Sequence, residues 1–269
     1  IYASPGDFII LGGRPSSGKT LLSVQMADVL SQEYRVGYFS LETGPQKLFD
    51  RFVTQAVPLD FGRVKRHELT EEDMHALAYQ NKNISRRQME IIPAGGYTAD
   101  DIRVETLSGR YQVIFVDYLQ LVRTERKNQN RTEEVGSVSR TLHTLAQQHG
   151  VTVIALAQLN RPDKGTLRAP RLSDLRESGQ IEQDADVVMM LSLIREWDTN
   201  EPKNSTDRLL QIVKNKEGEL NYMRLAFDGR AQQLVERMQP DNRKGARRAP
   251  SPLGPVSEPD PDPQMKMES

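Results

Sequence analysis

The 269-residue chain contains no cysteine, and this absence excludes disulfides, thiolate metal sites and cysteine nucleophiles. It also lacks an excess of either charge, because 36 Lys and Arg residues face 37 Asp and Glu residues. A histone-like or polybasic-arm protein is thereby excluded, whereas local basic loops that hold nucleic acid are not. No apolar run approaches the roughly 20 residues of a membrane span, and no signal peptide opens the chain. We expect a soluble, cytoplasmic protein with no membrane partner.

Apolar residues are scarce, at 37% of the chain, and so low a share indicates an unfolded part. Seven of the fifteen prolines lie in the last thirty residues, where Val256 is the only β-branched residue. Such a stretch buries too little apolar area to offset the entropy of ordering it. The sequence therefore predicts a folded domain over residues 1–239 and a disordered, Pro-rich tail over residues 240–269.

Short apolar runs alternate with longer amphipathic stretches along the folded part. The apolar runs predict strands covered on both faces, at residues 8–11, 36–41, 90–93, 113–116, 151–157 and 187–193. The amphipathic stretches predict helices, at residues 19–32, 46–57, 71–87, 99–108 and 132–149. Three late strands, separated by turn signals, are predicted at residues 209–214, 222–227 and 233–236. This order predicts an α/β fold, a doubly wound and mostly parallel sheet with a C-terminal antiparallel extension.

One motif follows the first predicted strand and opens the first predicted helix. It matches G-x-x-x-x-G-K-[ST] and consists of Gly13, Arg14, Pro15, Ser16, Ser17, Gly18, Lys19 and Thr20. In such a loop the backbone N–H groups and the helix N-terminus point at bound phosphates. Lys19 would neutralise the β- and γ-phosphates, and the Thr20 hydroxyl would bind Mg²⁺. The motif predicts a site for a nucleoside triphosphate.

Polar side chains also end three other predicted strands. Asp117 has the placement needed to hold the magnesium shell beside the phosphate loop. Glu42 would orient a water in line with the γ-phosphate, and the Gln158 amide would donate to that phosphate. The alternatives are a turn or helix cap for Asp117, a solvated loop carboxylate for Glu42 and an ordinary polar strand end for Gln158.

Two stretches are rich in basic residues and contain no aromatic residue. The first holds Arg123, Arg126, Lys127 and Arg131, and the second holds Arg161, Lys164, Arg168, Arg171 and Arg176. In a nearly neutral protein such stretches predict a surface for backbone phosphates, with little sequence preference because bases have nothing to stack on. Solvated charged loops are the alternative.

Taken together, the motifs resemble those of the DnaB-type replicative DNA helicases, in the same order. They read GGRPSSGKT at 12–20, FSLE at 39–42, VDYLQL at 116–121, QLNR at 158–161 and LSDLRESGQIEQDAD at 172–186, the most specific of the five. The similarity covers residues 5–237. It implies a RecA-like P-loop NTPase fold and a helicase motor that uses ATP and Mg²⁺. It also implies a homo-hexameric ring that encircles single-stranded DNA and moves 5′ to 3′.

The resemblance also implies roles for the residues of the predicted nucleotide site. It assigns Lys19 to the phosphates, Thr20 and Asp117 to the metal, Glu42 to activation of water, and Gln158 to sensing of the γ-phosphate.

Other residues take on roles outside that site by resemblance. Arg176, Glu177 and Gly179 would lie in a loop that contacts the DNA backbone at the centre of the ring. Family members also carry a basic pair, usually Lys-x-Arg, that reaches into the neighbouring subunit's nucleotide site. Here the pair is Lys214 and Lys216, so the finger position holds a lysine, which supplies charge without the forked donor geometry of arginine.

The family's amino-terminal collar domain and docking helix would precede Ile1. Without them we expect weaker ring assembly and no primase binding through the collar, although primase and a helicase loader are the partners implied through such regions. Two alternatives stay open, namely a recombinase-type RecA-like ATPase and a nucleotide-binding assembly subunit with little turnover.

Overall fold

The computed structural model describes residues 4–57, 59–124, 130–160 and 168–237, and only the backbone of residues 176–178. The described residues lie within one unit, residues 1–237. The predicted tail and four of the predicted basic residues, Arg126, Lys127, Arg161 and Lys164, lie outside the described residues. The boundary at residue 239 stays a prediction.

The described strands form one mixed sheet. In chain order they are β1 (Phe8–Gly13), β2 (Val36–Ser40), β3 (Met89–Pro93), β4 (Val113–Asp117), β5 (Thr152–Gln158), β6 (Val187–Leu193), β7 (Arg208–Asn215), β8 (Tyr222–Asp228) and β9 (Gln233–Glu236). Across the sheet the order is β3-β2-β4-β5-β1-β6-β7-β8-β9. Strands β1 to β6 pair in parallel, and β7 to β9 continue the sheet antiparallel. The predicted parallel sheet with its antiparallel extension is confirmed.

Seven α-helices lie in the described ranges. They are α1 (Lys19–Leu30), α2 (Pro45–Ala56), α3 (Phe61–Arg66), α4 (Glu71–Ile84), α5 (Ala99–Ser108), α6 (Arg131–His149) and α7 (Gly179–Asp184). Four of them, α3 to α6, begin at a side-chain cap. Thr70 and Thr98 form capping boxes with the third residue of α4 and α5, which satisfies N–H groups that a helix start leaves free. The short α3 was not predicted. It begins at Asp60, whose carboxylate accepts from the Arg63 N–H at 3.1 Å.

Helices cover both faces of the sheet, because side chains along each parallel strand alternate between them. Ile114 of β4 packs in a core cluster with Leu142 of α6. The next residue, Phe115, belongs to the opposite cluster, which contains Leu22 of α1. Phe115 also stacks on Tyr38 of β2, with ring centres 5.5 Å apart. The near-continuous apolar runs of the sequence are thus explained by burial on both sides.

Around Arg176, Glu177 and Gly179 the backbone differs from the predicted loop. Leu172–Ser178 forms a 3₁₀ helix that leads directly into α7, so the backbone is helical where the resemblance implied a loop, and its contact with DNA stays a prediction. The Asp174 carboxylate accepts from the Arg171 N–H at 3.0 Å and thereby begins the helical turns. A carboxylate at the third helical residue that accepts from the N-cap N–H is half of a capping box, a common way to start helical structure.

None of the helices in the described ranges is both long and apolar enough to cross a membrane.

Candidate functional site

The parallel strands bring the predicted site residues to one edge of the sheet. In the pairing register, Ser40 at the end of β2 lies beside Asp117, and Gly13 at the end of β1 lies beside Gln158. Strand β5 pairs with both β1 and β4, so these strand ends are neighbours. Ligands of open α/β sheets bind outside the carboxyl ends of the strands, which makes this edge the candidate site.

The phosphate loop (residues 13–20) depends on two glycines. A Cβ atom on Gly13 would lie 2.5 Å from the Ser17 hydroxyl oxygen and 2.8 Å from the Leu191 carbonyl oxygen. Gly18 has φ +101°, in the left-handed region, where a side chain would be strained. The loop therefore curls tightly and directs its backbone toward the start of α1.

Lys19 folds back over this loop. Its ammonium donates to the carbonyl oxygens of Gly13 at 2.8 Å and Arg14 at 3.2 Å. Burial lowers the pKa of Lys19, while the carboxylates of Asp117 and Glu42 act in the opposite direction. These carbonyl contacts are ones that an ammonium could exchange for phosphate oxygens.

Asp117 is buried and lies at the centre of a small hydroxyl network. Its Oδ2 atom accepts from the Thr20 hydroxyl at 2.9 Å and from the Tyr38 hydroxyl at 3.1 Å. Ser23 shares a 2.7 Å hydrogen bond with that tyrosine hydroxyl. Burial raises the pKa of Asp117, and the two donated hydrogen bonds oppose that rise. A buried carboxylate that is costly to ionise is one that a nearby cation would stabilise.

The residues present fit a magnesium ion. Thr20 and Asp117 supply a hydroxyl and a carboxylate oxygen 2.9 Å apart, the hard ligands that Mg²⁺ prefers. Within the described ranges no group of three His, Asp or Glu side chains could hold a metal by itself. Mg²⁺ sites completed by substrate phosphates and water need only one or two protein ligands, so this pair is sufficient.

A cleft of about 660 Å³ joins the predicted residues. It is lined by residues that include Pro15, Ser16, Gly18, Lys19, Thr20, Glu42, Asp117 and Gln158. Gln158 is held through its backbone, since the Gln120 amide accepts from its N–H and donates to its carbonyl, both at 3.1 Å. Five predicted residues that carry an ammonium, a hydroxyl, two carboxylates and an amide thus line one cleft, namely Lys19, Thr20, Glu42, Asp117 and Gln158.

Three residues of the predicted loop do not line this cleft. Gly13, Arg14 and Ser17 lie behind the loop surface, and all three are buried. The Arg14 guanidinium lies 3.7 Å from the Glu196 carboxylate. These residues shape the loop, and the contacts of Arg14 connect it to the segment after β6.

The cleft also contains basic residues that the sequence analysis did not single out. Lys47 and Arg51, four positions apart on α2, line it together with residues of the phosphate loop. Arg208 at the start of β7 donates from Nε to the Ser17 carbonyl at 2.9 Å and lies 4.6 Å from the centre of the Phe227 ring. Spacing along a helix could have indicated the first two. Arg208 contacts a residue 191 positions away, which no local pattern reveals.

Lys214 and Lys216 do not line the cleft of their own chain. The Lys214 ammonium donates to the Glu182 carbonyl at 2.6 Å. The Lys216 ammonium pairs with the Asp186 carboxylate, also at 2.6 Å. Their role in a neighbouring subunit's site stays a prediction.

The predicted DNA-contacting residues lie apart from the cleft lining as well. The backbone of Arg176 and Glu177 is in the 3₁₀ helix, and Gly179 begins α7. Among the basic residues that the structure describes, Arg131 pairs with Glu134 at 2.9 Å and Arg168 pairs with Asp174 at 2.6 Å. Part of the basic charge is therefore already neutralised within the chain.

Comparisons with known proteins agree with this geometry. Residues 3–236 match the family described as DnaB-like helicase C terminal domain. The chain is 32% identical over 235 residues to a probable plasmid replicative DNA helicase of Chlamydia trachomatis, covering 85% of this chain and 50% of that protein. It is 33% identical over 240 residues to the replicative DNA helicase DnaB of Haemophilus influenzae, covering 84% and 50%.

Solved structures show the same relation. One that is described as an ATPase domain superposes with a TM-score of 0.79 at 29% identity, covering 88% of this chain and 86% of that one. A structure of a DnaB-like replicative helicase and its interactions with primase superposes with a TM-score of 0.79 at 30% identity, covering 86% and 59%.

The chain spans about half the length of the curated relatives that it matches. The relatives are named replicative DNA helicases, and they give no support to the recombinase-type or assembly-subunit alternatives. A nucleotide-binding cleft, a RecA-like sheet and a family match over most of the chain therefore agree, and this chain belongs to the DnaB-like helicase C-terminal domain family.

Proposed function

We propose that the chain is an ATP-driven motor of a replicative DNA helicase, which couples hydrolysis of ATP to 5′-to-3′ movement along single-stranded DNA. The observation that carries this proposal is the meeting of Lys19, Thr20, Glu42, Asp117 and Gln158 around one cleft. Each has the chemistry that phosphoryl transfer from ATP to water needs, namely charge neutralisation, metal binding and orientation of the nucleophile.

ATP binding would replace contacts that already exist within the chain. The Lys19 ammonium would move from the Gly13 and Arg14 carbonyl oxygens to the β- and γ-phosphates. Thr20 and Asp117 would hold Mg²⁺, which supplies neutralisation of phosphate charge when bound. Tyr38 keeps the Asp117 carboxylate in place with its 3.1 Å hydrogen bond.

Glu42 is the group that would orient the attacking water and accept its proton. It lies just beyond β2, on the wall of the cleft, and is exposed to solvent, so water has access. Gln158 would donate to the γ-phosphate from the end of β5. Because β5 leads toward residues 172–186, loss of the γ-phosphate would be transmitted along this strand end to the DNA-contacting segment that carries Arg176, Glu177 and Gly179.

The complete site would need a second copy of the chain. Lys214 and Lys216 would supply charge to the neighbouring cleft, as expected for a homo-hexameric ring around DNA. A solved relative is described together with its interactions with primase. We propose that primase and a helicase loader bind to other regions of a full-length helicase and not to this chain.

Strand displacement from forked DNA tests this function. Because separating one base-pair step costs about 1.4 kcal/mol on average, unwinding has to be coupled to hydrolysis. We expect the chain, at concentrations that favour assembly, to displace the strand from forks with a 5′ tail when ATP and Mg²⁺ are present. A fork with only a 3′ tail, and the Glu42→Gln variant, serve as controls without displacement. Displacement that needs no ATP, or that prefers the 3′ tail, contradicts the proposal.

A further inference from the structure

Lys216 is held in its own chain by Asp186, the residue before β6. Its ammonium lies 2.6 Å from Oδ1 of Asp186, and its backbone N–H donates to the Asp186 carbonyl oxygen at 3.1 Å. The lysine side chain is 44% exposed, whereas the aspartate side chain is 16% exposed. One partner is therefore free to leave, and the other is fixed in the fold.

Asp186 is fixed because it also pairs with the first strand. Its Oδ2 atom accepts from the Phe8 N–H at 2.8 Å, and its own N–H donates to the Phe8 carbonyl at 2.8 Å. Strand β1 continues directly into the phosphate loop. The carboxylate that holds Lys216 is thus anchored to the strand that carries the nucleotide-binding loop of the same chain.

Lys214, two positions before Lys216 at the end of β7, bonds to the same region. Its ammonium donates to the Glu182 carbonyl at 2.6 Å, near the C-terminal end of α7, where positive charge is favourable. Helix α7 follows the 3₁₀ helix without a break. The two lysines expected to act in the neighbouring subunit are therefore attached, in their own chain, to the segment expected to contact DNA.

An ammonium held by a carboxylate is a poorer ligand for a phosphate. The carboxylate and the phosphate compete for the same positive charge and for the same three N–H donors. A partly exposed ion pair shifts the equilibrium of the ammonium between carboxylate and phosphate by up to about fivefold. A multiply charged nucleotide can reverse a shift of that size. The Lys216 ammonium can therefore leave Asp186 for a phosphate, and the effect of the ion pair on the reaction rate is large enough to measure.

We propose that Asp186 is a positioning residue for Lys216, restraining its ammonium in cis so that it reaches the neighbouring nucleotide only by exchanging one partner for the other. This inference rests on the proposed function. Lys214, two positions before Lys216, is bonded to the Glu182 carbonyl oxygen of α7, so a displacement of α7 on DNA would move the Lys216 ammonium relative to the fixed Asp186 carboxylate and change the cation available to the next subunit. The Lys216–Asp186 ion pair would thereby make the availability of the Lys216 ammonium depend on DNA, which the phosphate loop alone does not do.

The Asp186→Asn variant tests the restraint. An asparagine oxygen can still accept from the Phe8 N–H, but the negative charge opposite Lys216 is gone. We expect ATP hydrolysis without DNA to rise about three- to fivefold, with a matching fall in the ratio by which DNA stimulates it. In the Lys216→Met background the same substitution has no effect, because the group that it releases is absent.

The control is Asp28→Asn, which breaks an ion pair of the same length elsewhere in the chain. Asp28 and Arg87 lie 2.6 Å apart with side chains 15% and 19% exposed, and neither lines the cleft. We expect this variant to lose some thermal stability and to keep the wild-type rate. A rate for Asp186→Asn that is unchanged, lowered, or altered equally with and without Lys216 overturns the inference.

Assembly provides a second readout that does not need turnover. In sedimentation velocity with a non-hydrolysable ATP analogue, Asp186→Asn is expected to lower the protein concentration at half-assembly about three- to fivefold, and Lys216→Met cancels the gain. Absence of that shift overturns the role of Asp186 even in a chain that hydrolyses slowly. Wild-type hydrolysis that Lys19→Ala leaves intact overturns the proposed function instead, so the two failures are distinguishable.

Discussion

Replacing Lys19 with alanine is expected to reduce ATP hydrolysis by about 10³-fold, the upper range for removing one hydrogen-bond donor that stabilises the charge of a transition state. The Lys19 ammonium already lies within 3.2 Å of two carbonyl oxygens of the phosphate loop. Alanine leaves those oxygens without this donor and the phosphates without this charge. Release of phosphate at saturating ATP measures the loss, and a binding titration with a fluorescent nucleotide measures the accompanying fall in affinity.

A matched lysine controls for the loss of positive charge as such. Lys82 is exposed on α4 and does not line the cleft, so Lys82→Ala is expected to keep the wild-type rate. Thermal unfolding of both variants shows whether either is misfolded. A folded Lys19→Ala protein that keeps more than about a tenth of the activity, far above the ~10³-fold loss expected, would place the phosphates at another site.

Glu42→Gln is expected to separate binding from chemistry. The substitution keeps the size and polarity of the side chain but removes the carboxylate that would accept the proton of the attacking water. General-base catalysis contributes about 10²–10⁴-fold, so the rate of hydrolysis should fall by that amount. Nucleotide affinity should stay within about threefold, because an exposed carboxylate beside the phosphates adds little to binding. Single-turnover hydrolysis and a nucleotide titration measure the two quantities.

The exposed Glu33, just after α1, supplies the control for removal of a carboxylate. Glu33→Gln should change neither quantity. If Glu42→Gln hydrolyses ATP at the wild-type rate, another group orients the water. If it loses nucleotide binding instead, Glu42 serves the structure of the cleft and not the reaction.

The sequence predicts the sheet because its apolar runs indicate buried strands and the alternation of strands with helices indicates that those strands are parallel. Val113–Asp117 is a run of four apolar residues ending in a carboxylate, and such a run has few alternatives to a covered strand. Because the carboxyl ends of parallel strands lie at the same edge of a sheet, the sequence predicts Asp117 and Gln158 beside the phosphate loop. The six-residue α3 was missed because it is too short to show a helical period.

Other parts of the site depend on contacts that local patterns do not contain. In the sequence Tyr38 is indistinguishable from an ordinary core residue of β2, yet its hydroxyl donates to Asp117, 79 positions away. The sequence around Arg208 indicates only a charged residue at the start of a strand, yet the side chain is buried against Ser17 and Phe227. The helical turns of Leu172–Ser178 follow from the contact of Asp174 with Arg171, in a segment whose polar composition resembles a loop.

The most direct test of the account is the rate of ATP hydrolysis by the wild-type chain with and without single-stranded DNA. A nucleotide cleft coupled to a DNA-contacting segment predicts that DNA raises the rate severalfold. The increase should weaken as salt rises, because contacts with the phosphate backbone release counterions. A rate that is measurable and abolished by Lys19→Ala, yet unchanged by DNA at low salt, would contradict the claim that this cleft drives movement on DNA.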